Sequence, residues 1–283
     1  AAIGTGVLTG TNNTAIGQNA GTNLTSGTYN NFIGYQAGSS VTTGTGNIFS
    51  GYQAGEFATT SNYSIAIGYN AIGLGVLTGT DNTAIGRGAG ADLTSGTYNN
   101  FIGNGAGANV TTADNTVAIG RDAIGLGVLT GANNVAIGYD AGYDLTSGGN
   151  NFFGGYRAGQ NLTTGSYNVF TGYQAGGNAT TVNNTIAIGR LAIGLGVVTG
   201  GQNIAIGYEA GHDLTSGGNN VAIGYRAGFE LTTGLGNTLI GGFDAGGDIT
   251  SGNYNTVLGY QAGSKATTAD STVAIGRNAI GLG

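Results

Sequence analysis

The chain contains no cysteine, proline, methionine or tryptophan, and only 7% of its 283 residues are charged. Each absence excludes something. Without cysteine there are neither disulfides nor thiolate metal ligands, and the redox compartment is not legible. A collagen triple helix needs proline and glycine at every third position, and the chain offers neither. Glu, Lys and Arg are nearly missing, so the residues that favour helices are too few for a helical fold. Seven basic and thirteen acidic residues are scattered singly, for a formal charge of −6. With no basic stripe to neutralise phosphates, nucleic acid is not an expected partner. No apolar run approaches the roughly 18 residues of a membrane helix, so membrane insertion is not expected. No signal peptide precedes Ala1 and no Met initiates the chain, which suggests a mature or excised segment.

What is present is glycine, at 61 positions, with an apolar fraction of 40%. Disordered chains share the richness in Gly, Ser, Asn and Thr, but their apolar residues keep no phase. Here they do. The glycine of a recurring Ala-Ile-Gly-like triplet falls at Gly17, Gly34, Gly51, Gly68, Gly86, Gly103, Gly120 and onward to Gly276, in steps of 17 with four steps of 18. Three of the longer steps follow Gly68, Gly120 and Gly189, where an extra Ile is read as entering, as in Ala71-Ile72-Gly73-Leu74-Gly75. A period of this length marks a stacked repeat.

Positions are counted from each anchor glycine. Three places after it stands alanine (Ala20, Ala37, Ala54), expected at a tight buried corner. Two places before it stands Ala or Phe (Phe32, Phe49), and one place before it usually Ile (Ile16, Ile33). Neighbours in a strand face opposite sides, so both faces of this strand are apolar, one for the coil interior and one for a second surface. Four places before it stands Asn (Asn13, Asn30, Asn47), whose amides are expected to bond along the stacking axis. Segments such as Leu24–Gly27 and Val41–Gly44 read as a second short strand, with Gly and Asn making the corners between. The expected fold is therefore all-β, a repetitive β-solenoid or β-roll of about 16 coils of 17 residues with two short strands per coil.

The whole chain, 1–283, reads as one continuous solenoid. The Ala-Ile-Gly-Leu-Gly punctuation divides it into modules 1–70, 71–122, 123–191 and 192–283, of four, three, four and five coils. Coils that close a module carry Ser61, Ala113, Val182 and Ala269 where others have a turn glycine. Both chain ends carry the same punctuation, at 2–7 and 279–283, which makes head-to-tail stacking of copies an expectation. So few apolar atoms per coil need a partner, and parallel association as a homotrimer is expected through the second apolar face.

Segments such as Asn13-Thr14-Ala15-Ile16-Gly17 and Asn134-Val135-Ala136-Ile137-Gly138 resemble the Val-Ala-Ile-Gly head repeats of trimeric autotransporter adhesins. They are also similar to the Asn-Thr-Ala-Ile-Gly repeats of phage tail-fibre and bacterial surface fibre proteins. The resemblance runs through the chain. It implies a parallel trimer of β-rolls, extracellular on a cell or virion surface, giving reach and attachment.

No residue set calls for catalysis, a cofactor or a metal. His212, the only histidine, lacks a nucleophile or metal partner in sequence and reads as a surface residue, as does Lys265. Asp92, Asp144, Asp213 and Asp248 share one corner, a column that could hold Ca²⁺, but Asn23, Asn109, Asn161 and Asn178 stand there in other coils, which points to turn-making. Two surface rows remain. Tyr35, Tyr52, Tyr69, Tyr139, Tyr156 and Tyr173 form one, either shielding the sheet or contacting a cell-surface glycan or protein receptor. Thr25, Thr42, Thr59, Thr94 and Thr111 form the other, which raises ice binding as an alternative to a structural, non-enzymatic fibre or filament shaft.

Overall fold

The computed structural model describes residues 8–194 and 196–280. The terminal punctuation at 2–7 and 281–283 lies outside the described residues, as does Leu195. The chain groups into two units, Ala1–Asp140 and Ala141–Gly283. Among the described residues every strand is short and there is no helix.

The first unit holds β1 (Thr14–Ile16), β2 (Asn31–Ile33), β3 (Ile48–Ser50), β4 (Ile65–Ile67), β5 (Thr83–Ile85), β6 (Asn100–Ile102), β7 (Val117–Ile119) and β8 (Val135–Ile137). The second holds β9 (Phe152–Gly154), β10 (Val169–Thr171), β11 (Ile186–Ile188), β12 (Ile204–Ile206), β13 (Val221–Tyr225), β14 (Thr238–Phe243), β15 (Thr256–Leu258) and β16 (Val273–Ile275). Within each unit successive strands pair parallel and in register, apart from a shift between β13 and β14 after Ile223. Ala15 lies beside Phe32, Phe32 beside Phe49, and Ala187 beside Ala205. This is the β-solenoid that the 17-residue period predicts.

One strand per coil forms, not two. At the corner expected to be the second strand, the Thr25 and Ser26 N–H groups both reach the Thr42 carbonyl, at 2.9 and 3.2 Å. Two donors converging on one acceptor bend the chain, whereas a ladder alternates N–H and C=O along each edge. The only bridge outside the named strands, among the described residues, joins Ala179 to Val198.

Ala20, Ala37 and Ala54 are fully buried, as are Phe32 and Phe49, whose rings stack at 5.5 Å. The interior is filled by a trade in volume. Four places after the anchor most coils have glycine in the left-handed conformation, and a Cβ on Gly38 would stand 2.7 Å from the Phe32 ring. In three described coils that place is taken by a fully buried isoleucine, Ile72, Ile124 or Ile193. The strands of those coils, and of the coils that follow them, carry Ala instead of Phe: Ala66 and Ala84, Ala118 and Ala136, Ala187 and Ala205. A large residue enters from one side of the coil only where the other side is small.

That filling has a conformational cost. Ile72, Ile124 and Ile193 have φ of 45°, 48° and 51°, which for a β-branched residue costs on the order of 1–3 kcal/mol. The isoleucine is therefore not an insertion, as the longer step suggested; it replaces a glycine. Hydrogen bonds keep register as far as Leu74, whose N–H meets the Ala91 carbonyl at 2.9 Å, and Gly75 shares that same acceptor at 2.9 Å. The additional residue is absorbed just beyond, where Leu77 turns fully inward.

Candidate functional site

Four columns of like residues run up each unit, and each does something different. The Asn column is internal. Asn30 Nδ2 donates to Asn13 Oδ1 at 3.1 Å and to the Gly44 carbonyl at 2.7 Å. Its Oδ1 accepts from the Asn47 backbone N–H at 3.0 Å and from Asn47 Nδ2 at 3.1 Å. Both protons and both lone-pair sites of the amide are thus engaged, as a buried polar group requires. At module ends the ladder is continued by other means: Ser64 donates its N–H to Asn47 Oδ1 at 3.0 Å, and its Oγ accepts from the Asn82 N–H at 3.3 Å.

The Thr column is axial too. Thr25 Oγ1 donates to the Thr42 carbonyl and Thr94 Oγ1 to the Thr111 carbonyl, both at 3.0 Å. Leu77, Leu129 and Val198, which interrupt this row in the sequence, are buried in the interior.

The third column follows the anchor glycine. Tyr35, Tyr52 and Tyr69 stack at 5.0 and 5.1 Å, and Tyr156 and Tyr173 at 5.0 Å. The row does not stop at Tyr173. It continues through Arg190, whose guanidinium lies 5.6 Å from the Tyr173 ring and 5.5 Å from that of Tyr208. Tyr225, Phe243 and Tyr260 follow at 5.0 to 5.4 Å, and Arg277 lies over Tyr260 at 5.5 Å. Arg87 and Arg121 stand likewise over Tyr69 and Tyr139. Planar cations thus take the place of rings. Their spacing of 17 or 18 from the tyrosines was the available signal. Phe243 escaped it because the fourth longer step puts Gly242 directly after the anchor, and Tyr225 pairs with Phe243 across a register shift. A hydrogen bond with Glu209, foremost, raises the Tyr208 hydroxyl above its ordinary pKa.

A second set of tyrosines stands five places before the anchor: Tyr29, Tyr63, Tyr98, Tyr167 and Tyr254. They stand at φ of 53° to 61° and are the more exposed aromatics, Tyr29 at 66% against 37% for Tyr35.

The fourth column is the outer strand face, where Ile16 and Ile33 are exposed together with Ile48, Ile67, Ile85, Ile102 and Ile137. In the second unit Phe152, Ile188, Leu258, Val273 and Ile275 continue the same strand face.

The remaining candidates resolve individually. His212 is not a surface residue: it is 6% exposed, stacked on Phe229 at 4.8 Å, with Nδ1 2.7 Å from Asp213 Oδ1. Its sequence neighbours gave no hint of Phe229, which lies one coil on. Lys265 is exposed and 3.6 Å from Asp248. At the Asx corner Asn161 Nδ2 donates to Asn178 Oδ1 and Asn178 Nδ2 to the Gly194 carbonyl, both at 2.9 Å. No group of three or more His, Cys, Asp or Glu side chains converges among the described residues. Burial raises the Glu56 carboxyl above its ordinary pKa, opposed by a hydrogen bond with Gln53, and likewise raises Asp244, opposed by Arg226.

Comparison with protein-family models, with curated proteins and with solved structures gives no match to this chain.

Proposed function

We propose that this chain is a structural, non-catalytic shaft of an extracellular fibre or filament on a cell or virion surface, assembled from parallel copies as a homotrimer. The observation that carries this reading is the outer strand face. Consecutive in-register strands present exposed apolar side chains, as at Ile67, Ile85 and Ile102, an apolar surface of the kind that soluble monomers rarely leave bare. A second copy of the chain repeats at the same interval, roughly 4.8 Å per coil, so side chains of one copy meet gaps of the other without loss of register. Three copies is the number that the resemblance to adhesin and tail-fibre repeats implies.

The other columns support a mechanical role. Asn and Thr side chains are engaged along the axis, where they tie each coil to the next. Stacking turns the faces of the tyrosine rings toward one another, which favours shielding over attachment, since a bound sugar would need those faces. The Thr hydroxyl protons that an ice-ordering surface would present are donated internally.

Light scattering on purified protein is expected to give three times the chain mass. Replacing Ile67, Ile85 and Ile102 together by Ser is expected to lower that mass without loss of β circular dichroism. A wild-type monomer would overturn self-association, and a stable dimer would overturn the count of three.

A further inference from the structure

Six places before the anchor several coils share a device. The backbone N–H of that residue donates to the polar side chain of its counterpart one coil on. Thr28 donates to Thr45 Oγ1 at 3.4 Å, Thr45 to Asn62 Oδ1 at 2.8 Å, Thr97 to Asp114 Oδ1 at 2.7 Å, Ser166 to Asn183 Oδ1 at 2.8 Å, and Leu235 to Asn253 Oδ1 at 2.9 Å. It is absent at Asn62 and Thr80 and at Asp114 and Ala132, and its longest gap, three coils running, lies between Asn183 and Leu235. The counterparts of Asn183 are Gly201, Gly218 and Leu235, none of which carries an acceptor. The N–H groups of Asn183, Gly201 and Gly218 therefore have no partner within the chain. A Cβ on Gly201 would stand 3.3 Å from the Asn183 nitrogen and 2.8 Å from the Asn183 carbonyl oxygen, so a side chain there would start beside that donor once the backbone gave way slightly.

The missing side chains leave a cleft of about 400 Å³ at this position, wholly within the second unit. Its floor is Gly200, Gly201 and Gly218, and its walls are the amides Asn184, Gln202 and Asn219 with the hydroxyls Thr199 and Ser216. These five side chains make no hydrogen bond within the protein. No charged side chain lines the cleft. Elsewhere the position that Gln202 and Asn219 occupy carries Tyr in five coils and Asn in others, among them Asn115, Asn133 and Asn150.

We infer that this cleft binds a carboxylate-bearing saccharide, with the acid group on the row of backbone N–H donors and ring hydroxyls on the surrounding amides. Three donors in line, spaced one coil apart at roughly 4.8 Å, form an anion-accepting row of backbone N–H groups without an opposing carboxylate. Amides and hydroxyls both donate and accept, which suits sugar hydroxyls and not an apolar ligand. The volume lies within the range of roughly 300–1,000 Å³ typical of small-molecule sites. The site stands beside the proposed mechanical role and does not depend on trimer formation.

The test is titration of the full chain with trigalacturonate, followed by calorimetry and by amide NMR. Binding is expected to shift the amide resonances of Asn183, Gly201 and Gly218, and maltotriose, neutral and of equal length, is expected to bind at least tenfold more weakly. Gly218→Asn supplies the missing acceptor to the Gly201 N–H, as Asn183 does for Ser166, and is expected to weaken binding at least tenfold. Its Cβ would lie 3.1 Å from the Gly201 carbonyl, a contact that a small shift relieves. Should that variant fold poorly, Gln202→Gly with Asn219→Gly removes exposed side chains at φ of 63° and 59°, where Gly46 and Gly236 stand in other coils, and is expected to weaken binding as well. No binding of trigalacturonate at millimolar concentration, equal binding of maltotriose, or full retention of binding in the variants would each overturn the assignment.

Discussion

Replacing Gly34 by alanine is expected to destabilise the first unit by about 4 kcal/mol or more, enough to prevent its folding. Two effects coincide there. Gly34 has φ of +132°, a conformation that side chains rarely adopt, and a Cβ would stand 2.3 Å from the Gly51 carbonyl oxygen of the next coil. Backbone cannot withdraw, because Gly51 meets Gly68 in the same way. The control is Gly88, which has φ of +64° and open space around its missing Cβ. Other coils carry Gln36, Gln53 or Asn70 at that place, with φ between 52° and 55°. Gly88→Asn is therefore expected to change stability by less than ~1 kcal/mol. Guanidinium denaturation of both variants separates steric exclusion from conformational preference, and similar losses in the two would show that stacking does not demand glycine at the anchor.

Asn30→Ala is the second large effect, expected at about 3 to 5 kcal/mol. The substitution removes four hydrogen bonds at once and leaves the Gly44 carbonyl and the Asn47 backbone N–H buried without partners. Losing a partner costs more than the bond itself contributes, since the remaining group stays desolvated. Asn30→Ser is expected to cost about half as much, because the chain already tolerates Ser64 in this column, where a hydroxyl accepts from the following Asn N–H. Chemical denaturation monitored by circular dichroism gives both values. Equal costs for Ala and Ser would mean that volume, not hydrogen bonding, sets the requirement at this position.

Much of the fold could be read from residues alone because the repeat translates sequence period directly into space. Gly17, Gly34 and Gly51 recur at one interval, and a Cβ on each of the first two would meet the backbone of the next. What the period could not convey was which contacts cross between coils at unlike positions. Phe32 and Gly38 lie six residues apart in sequence, and only their meeting in the coil interior explains why one is large and the other has no side chain. Ile72 looked like an insertion because substitution of a glycine and addition of a residue occur within the same few positions. His212 looked exposed for a related reason: the residue that covers it, Phe229, is one coil away and matches no other copy.

The candidate sites were less legible than the fold. The tyrosine row was visible, but composition classes separate Arg190 from Tyr173 and Tyr208, while geometry unites them as planar groups in one stack. The cleft beside Gly201 was hidden altogether. It is defined by absent acceptors in Gly201, Gly218 and Leu235, and a missing side chain is conspicuous only once the N–H that it should meet has a position.

The central claim is that residues one repeat apart sit side by side, and a pair of cysteines tests it in a chain that has none of its own. Thr83 and Asn100 are in-register partners on β5 and β6. Their Cα atoms should lie about 4.8 Å apart, within the ~4.4–6.8 Å that a disulfide spans. Arg87 lies between them, so trypsin would separate the two halves. With Thr83→Cys and Asn100→Cys, stacking predicts that the peptides on either side of Arg87 stay joined until reductant is added, while Thr83→Cys with Val117→Cys, two coils apart, stays unlinked. Free thiols in the first pair, or linkage as efficient in the second, would contradict it.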